Sequence, residues 1–358
     1  MRKLTIFLCV AFLAACTAKS TGERDLESVD FSAAARDIVS QVDFVYLRPG
    51  SDFFLGEVNA VKSFAGNWYI LDNGQRGALM MFDKSGRGLA LYDCRGRGPG
   101  EYSEIAGFDI DSDSGEVALL CGPPKIIILD RNLNFSREIA LEKFYNRIAC
   151  CRGGWLLFSG PEAAVDFMPA EGIAPERVFA TQPDLHYTDN HNPVFIRDGQ
   201  RLFFQTESDD ALYEIAGRRF VKAVQYDYPD RKEAQRKHAG ERLVGMDALK
   251  YTRPQLLCAW QGKGGLSFVY RKLVYRLNTE CGDSCINCDL AIPGLGPALT
   301  KVGERLVGWI YAYDYNPERF AAGGALDGIQ VNHIPMNRDM AEGGNPVLVI
   351  STLSENLR

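Results

Sequence analysis

One short template recurs six times along the chain, and it limits the possible folds more tightly than any other feature. A turn glycine and a brief link lead into a strongly apolar run. The template reads Gly66 then Trp68-Tyr69-Ile70-Leu71, Gly115 then Val117-Ala118-Leu119-Leu120, and Gly153 then Trp155-Leu156-Leu157-Phe158. It continues as Gly199 then Leu202-Phe203-Phe204, Gly265 then Leu266-Ser267-Phe268-Val269, and Gly303 then Leu306-Val307-Gly308-Trp309. The spacings are 49, 38, 46, 66 and 38 residues, and the longest contains the charged insertion Asp230 to Arg242. Four to eight apolar residues between turn signals mark a buried strand. Repeats of about 40–50 residues suit four-stranded blades arranged around an axis. Most units add a second apolar run and a tight turn, as in Ala78 to Phe82 then Asp83-Lys84-Ser85-Gly86. The stretch from Ser159 to Asn192 fits this pattern poorly. No long 3.6-residue periodicity occurs, which argues against an α/β enzyme fold. The expected fold is an all-β, six-bladed propeller of four-stranded antiparallel blades over residues 43–358.

Composition agrees with a packed domain. Of 358 residues, 46% are apolar and 24% charged, the ordinary globular balance. The formal net charge is −6. Loss of an N-terminal segment carrying Arg2 and Lys3 would take it to −8. Such a chain repels phosphate backbones, so no nucleic-acid partner is expected. The densest basic stretch, Arg231 to Lys237, also holds Glu233 and reads as a solvated helix face.

Residues 1–16 read as an export signal. Arg2 and Lys3 precede a twelve-residue apolar stretch, Leu4 to Ala15. A bilayer span takes about 20 residues, so this stretch is too short to be one. Leu13-Ala14-Ala15-Cys16 resembles the lipobox of bacterial lipoproteins, which implies cleavage before Cys16 and its acylation; the alternative is an ordinary signal with a chance cysteine. Thr17 stands where inner-membrane retention uses an aspartate, so an outer-membrane lipoprotein is expected, facing the periplasm or the cell surface. Residues 17–42 read as a polar tether and a short helix, Ala33 to Val42, N-capped by Ser32.

Gly96-Arg97-Gly98-Pro99-Gly100-Glu101-Tyr102, with the blade before it, resembles the six-bladed, NHL-like β-propeller lipoproteins of Gram-negative gut bacteria, which carry a G-x-G-P-G-E-[YF] signature. Asn345-Pro346-Val347-Leu348-Val349-Ile350 is similar to that family's last strand. The resemblance implies the fold, the envelope address, and closure of the ring by the strand near Phe44 to Leu47. It implies little chemistry.

By analogy with other propellers, Asp72, Asn73 and the loop carrying Arg97, Gly98, Pro99, Gly100, Glu101 and Tyr102 share one face. The main reading of that loop is structural, with Glu101 accepting from backbone amides and Tyr102 packed between blades. The alternative is a ligand face for a glycan, peptide or envelope protein. A phosphate cradle is disfavoured, because Pro99 lacks an N–H and no helix follows. Asp109, Asp111 and Asp113 have calcium-loop spacing, but Leu120 stands where an EF-hand needs Glu; a polar hairpin turn is the main reading and calcium the alternative. Cys281, Cys285 and Cys288 read as a disulfide cluster on a hairpin turn, with zinc and an iron–sulfur site as alternatives. Connectivity among the mature cysteines stays open. His186 and His191 flank Asp189 in a loop, a further metal candidate. Trp68, Trp155, Trp260 and Trp309 read as inter-blade core, with sugar stacking the alternative for one or two. No G-x-S-x-G, H-E-x-x-H or Walker loop occurs. The leading expectation is a non-enzymatic binding or scaffold propeller. The competing one is a metal-dependent hydrolase or lyase of the lactonase type.

Overall fold

The structure is a computed structural model. It describes residues 39–355 except 51–53, 75–76, 182–193, 207–210, 226–257, 263–264, 271–272, 278–285, 292–297, 321–327, 336–341 and 343. Cys16, residues 1–38, the Arg231 to Lys237 stretch, and Asp189 with its flanking histidines therefore lie outside the described residues.

The chain enters through β1 (Val39–Tyr46). Blade one comprises β2 (Ala60–Phe64), β3 (Asn67–Asp72), β4 (Ala78–Phe82) and β5 (Gly88–Tyr92). Blade two comprises β6 (Glu104–Ile110), β7 (Val117–Gly122), β8 (Lys125–Leu129) and β9 (Phe135–Ala140). Blade three is β10 (Arg147–Cys151), β11 (Gly154–Ser159), β12 (Ala164–Pro169) and β13 (Glu176–Ala180). Blade four is β14 (Phe195–Asp198), β15 (Arg201–Gln205), β16 (Ala211–Ala216) and β17 (Arg219–Gln225). Blade five is β18 (Cys258–Gly262), β19 (Gly265–Tyr270), β20 (Leu273–Leu277) and β21 (Ile286–Ala291). The sixth sheet is built from β22 (Ala298–Val302), β23 (Arg305–Ile310), β24 (Gln330–Asn332) and β25 (Val347–Leu353), together with β1. Among the described residues, helix is confined to short 3-10 turns such as Ala312–Asp314, and no helix is long and apolar enough to cross a membrane.

Each recurrent glycine stands at the turn from a blade's first strand into its second. Second and third strands are walled by neighbouring blades on both sides, so β4, β7, β8 and β11 are buried along their whole length. Fourth strands lie at the rim and alternate, as in β5 and β9. The core accordingly lies in the seams. One cluster joins Leu79 and Met81 of blade one to Leu119 and Ile127 of blade two. Others join blades two and three around Trp155, three and four around Phe204, and six and one around Trp68. Each large apolar side chain buried there contributes roughly 1.5–3 kcal/mol.

The sixth sheet is closed from both chain ends. β1 pairs antiparallel with β25, from Val39 opposite Leu353 to Tyr46 opposite Val347. β24 adds a fifth strand on the outer side, parallel to β1, with Gln41 opposite Gln330.

Two expectations need correction. The helix expected to end at Val42 gives way to strand from Val39 onward. Here Val39, Val42, Phe44 and Tyr46 are buried against β25, and tertiary pairing overrides the local pattern. Blade three is also a regular four-stranded sheet. Its third strand was hidden by Asp166, a buried acid inside an otherwise apolar run.

Candidate functional site

Asp72 and Asn73 end β3, where the chain turns from a blade's second strand to its third. One Asp72 oxygen accepts the Gly56 amide at 3.0 Å and the other accepts Gly74 at 2.8 Å. The Asn73 backbone N–H donates to the Asn59 side chain (2.6 Å), and its side-chain nitrogen donates to the Ile105 carbonyl of blade two (2.9 Å). The loop from Cys94 to Tyr102 packs beside them, and the Tyr102 hydroxyl donates to Gly77 of the same turn at 2.9 Å.

Within that loop Glu101 accepts the Gly98 amide at 2.7 Å. A Cβ on Gly96 would stand 2.0 Å from the Glu101 carboxylate, so any larger residue there would displace that carboxylate from its place. Gly100 is left-handed (φ +72°), and Gly98 leaves space for the same carboxylate. The Gly100 amide donates to Glu138 of β9 (2.9 Å), and Lys125 of β8 pairs with Glu138 at 2.9 Å while reaching the Gly98 carbonyl. These bonds hold the Glu138 carboxyl below its usual range, the Gly100 amide first and Lys125 second. The Tyr92 hydroxyl donates to the Gly100 carbonyl, and Tyr102 is fully buried. The loop's polar groups are thus turned inward, where they fasten blade one to blade two. Cys94, Arg95, Arg97 and Pro99 stand exposed.

A second polar assembly lies on the innermost strands, within three residues of the first hairpin turns. Asp109 of β6 is 3% exposed and sits between two cations: Lys62 of β2 at 2.9 Å and Arg197 of β14 at 2.9 Å. It also accepts the Cys150 amide of β10 at 2.7 Å, and Arg197 donates to the Cys150 carbonyl at 2.6 Å. Lys301 of β22 pairs with Asp198 of β14 at 2.6 Å. Blades one, two, three, four and six are therefore cross-linked around the axis. Burial pushes the Asp109 carboxyl up, but Lys62, Arg197 and the hydrogen bonds outweigh it and hold the group at about 2. Sequence reasoning saw Asp109 only as part of a D-x-D-x-D run and did not single out Lys62, Arg197, Asp198 or Lys301. Their common place one to four residues before a turn glycine was the available signal.

The three aspartates do not converge. Asp109 serves the inner belt, whereas Asp111 caps its own turn, accepting the amides of Asp113 (3.1 Å) and Ser114 (2.8 Å). No group of three His, Cys, Asp or Glu among the described residues is arranged to hold a metal ion. Cys281 and Cys285 lie outside the described residues, while Cys288 belongs to strand β21, opposite Tyr275, and not to the hairpin turn. His333 lies against Phe44 and 3.3 Å from the Tyr315 hydroxyl. Cys94, Cys121, Cys150 and Cys151 are free thiols. Burial pushes Cys121 up to about 12 and Cys151 up to about 11, and raises Cys150 and Cys94 as well, which leaves all four protonated and poorly nucleophilic. Trp68 and Trp155 are seam core; Trp309 is only half-buried and meets Tyr311 edge-on at 4.7 Å.

The family described as 6-bladed beta-propeller, DUF5128, matches residues 25–242. The chain belongs to this six-bladed β-propeller family. No curated protein sequence matches it. Among solved structures, this DUF5128 propeller is similar to a protein of Bacteroides fragilis NCTC 9343 described as exported, with TM-score 0.60 and 12% identity over 89% of this chain and 96% of that one. It is more distantly similar to a streptogramin B lyase, with TM-score 0.43 and 14% identity over 75% and 80% of the two chains. BamB from Moraxella catarrhalis shares 9% identity at TM-score 0.37, over 75% and 72%. At these identities the likeness is one of fold.

Proposed function

We propose that this DUF5128 propeller is a cell-envelope lipoprotein that acts as a non-enzymatic binding or scaffold module for a glycan, peptide or envelope protein. The observation that carries the reading is how the inner-strand charges are used. A metal-dependent lactonase or lyase needs several carboxylate, Asn or His ligands aimed at one point. Here Asp109 is held by two cations and an amide, and Asp198 faces Lys301, so these carboxylates are engaged in pairing blades. Ion pairs used in that way supply neither open ligands nor a general base.

The address rests on Leu13-Ala14-Ala15-Cys16 and on Thr17, which support acylation at Cys16 and an outer-membrane location. Several buried acyl chains, at about 0.8 kcal/mol per methylene, hold a protein at a membrane. Metal analysis of the purified full chain, alongside a glycan and peptide array, tests the reading. The expected result is no stoichiometric metal and at least one saturable ligand. A stoichiometric metal that supports turnover of a lactone or similar ester would overturn it.

A further inference from the structure

Trp309, Tyr311 and Tyr313 alternate along one line that leaves β23 and runs into the 3-10 turn Ala312–Asp314. Tyr311 and Tyr313 lie ring on ring, 4.9 Å between centroids with planes 9° apart, and Trp309 meets Tyr311 edge-on. They are nonetheless open to solvent: Tyr311 is 39% exposed and Tyr313 is 66% exposed. Large aromatic rings grouped on a surface mark a contact site more often than chance exposure does. Tyr315, next in the alternation, turns inward and fixes the turn. Its hydroxyl accepts the Ile334 amide at 3.0 Å and donates to the Ile334 carbonyl at 3.1 Å, and its ring meets Phe44 of β1 at 4.9 Å. The exposed rings are therefore preorganised, which lowers the entropy lost on binding.

The position narrows the occupant. Val39, where the tether joins β1, pairs with Leu353, whose amide bonds Glu304 in the β22–β23 hairpin. Tyr311 leaves the opposite end of β23, beside the start of β25. The aromatic run thus lies at the end of the sixth sheet opposite Val39. Exposed Asp314 and Glu318 stand on the same segment of an acidic chain, which disfavours nucleic acid, anionic lipid and acidic sugars. A neutral pyranose meets these conditions. Its axial C–H bonds present a weakly positive face to the negative ring face of tyrosine, and its hydroxyls meet the phenol oxygens and the Asp314 carboxylate.

We propose that the open face of Tyr313, backed by the stacked Tyr311 ring and braced by Trp309, is a platform for a neutral polysaccharide, a reading that rests on the binding role above and names its ligand class. The full chain, purified in detergent, is run by affinity electrophoresis through soluble glucan, mannan, galactan, xylan and polygalacturonate. At least one neutral polymer should retard it and polygalacturonate should not. Tyr311→Ala and Tyr313→Ala should each weaken that retardation about tenfold or more, and Tyr313→Phe less than about threefold, with an unchanged far-UV spectrum. Retardation by no neutral polymer, a preference for polygalacturonate, or equal retardation of the alanine variants overturns the platform. If the metal analysis is also blank, that failure leaves the binding role standing. A stoichiometric metal with turnover removes both.

Discussion

Asp109 occupies the innermost strand of blade two with almost no contact with water, so its charge survives only because Lys62 and Arg197 flank it. Its carboxyl titrates at about 2, below the ordinary 3.8. A depressed carboxyl contributes stability in full above its unfolded value, and that contribution drains away as pH falls through the folded one. The shift corresponds to about 2 kcal/mol at neutral pH, lost between about pH 4 and pH 2. Asp109→Asn should cost roughly 3–5 kcal/mol, because it strands two cations without their partner. Urea unfolding at a series of pH values checks both parts: the variant should be weaker at neutral pH and flatter in the acid window. An unchanged acid profile would show that the pair does not couple to folding. The sequence exposed Asp109 but not its purpose, since Arg197 lies 88 residues away and only the ring brings the two together. By contrast, the inward roles of Glu101 and Tyr102 were readable, because every hydrogen-bond partner they use except Gly77 and Tyr92 lies within eight residues.

Among the elements, second strands were the most legible, since a glycine turn followed by a continuous apolar run has few other readings. Third strands were harder. β12 interrupts its apolar run with Asp166, which is made tolerable by Tyr145 (2.8 Å), Lys143 (3.1 Å) and Arg177, groups that no local pattern connects. β1 was misread at its start, because four residues of Val39–Val42 suit a helix until β25 offers a partner. That pairing makes β1 the element on which the ring depends. Deleting residues 1–38 should leave thermal unfolding unchanged. Deleting residues 1–46 should expose β25 as an open edge and give aggregates by sedimentation. A monodisperse, cooperatively folding 47–358 chain would refute the dependence.

Across the whole molecule, the order of strands sets at which end of the ring the chain enters. The tether joins at the hairpin end, next to Leu353 and Glu304, while the blade-to-blade crossovers and Tyr313 lie at the other. With acylation at Cys16, the crossover end would look outward from the lipid surface. Cys16→Ala should move the protein from the membrane pellet to the soluble fraction, and persistent sedimentation with membranes would refute the anchor. The number of blades could be counted from six glycines, because each blade is a near-copy of the last; the ligand could not, because function in such a ring rests on side chains added to loops that follow no repeat. The grip on β1 carries a mechanical meaning. It is flanked by β25 on one side and β24 on the other. Tension applied at Val39 would run along the strand and shear both rows of hydrogen bonds together, where peeling would break them singly. The ring is therefore suited to stay shut under a load applied at that strand.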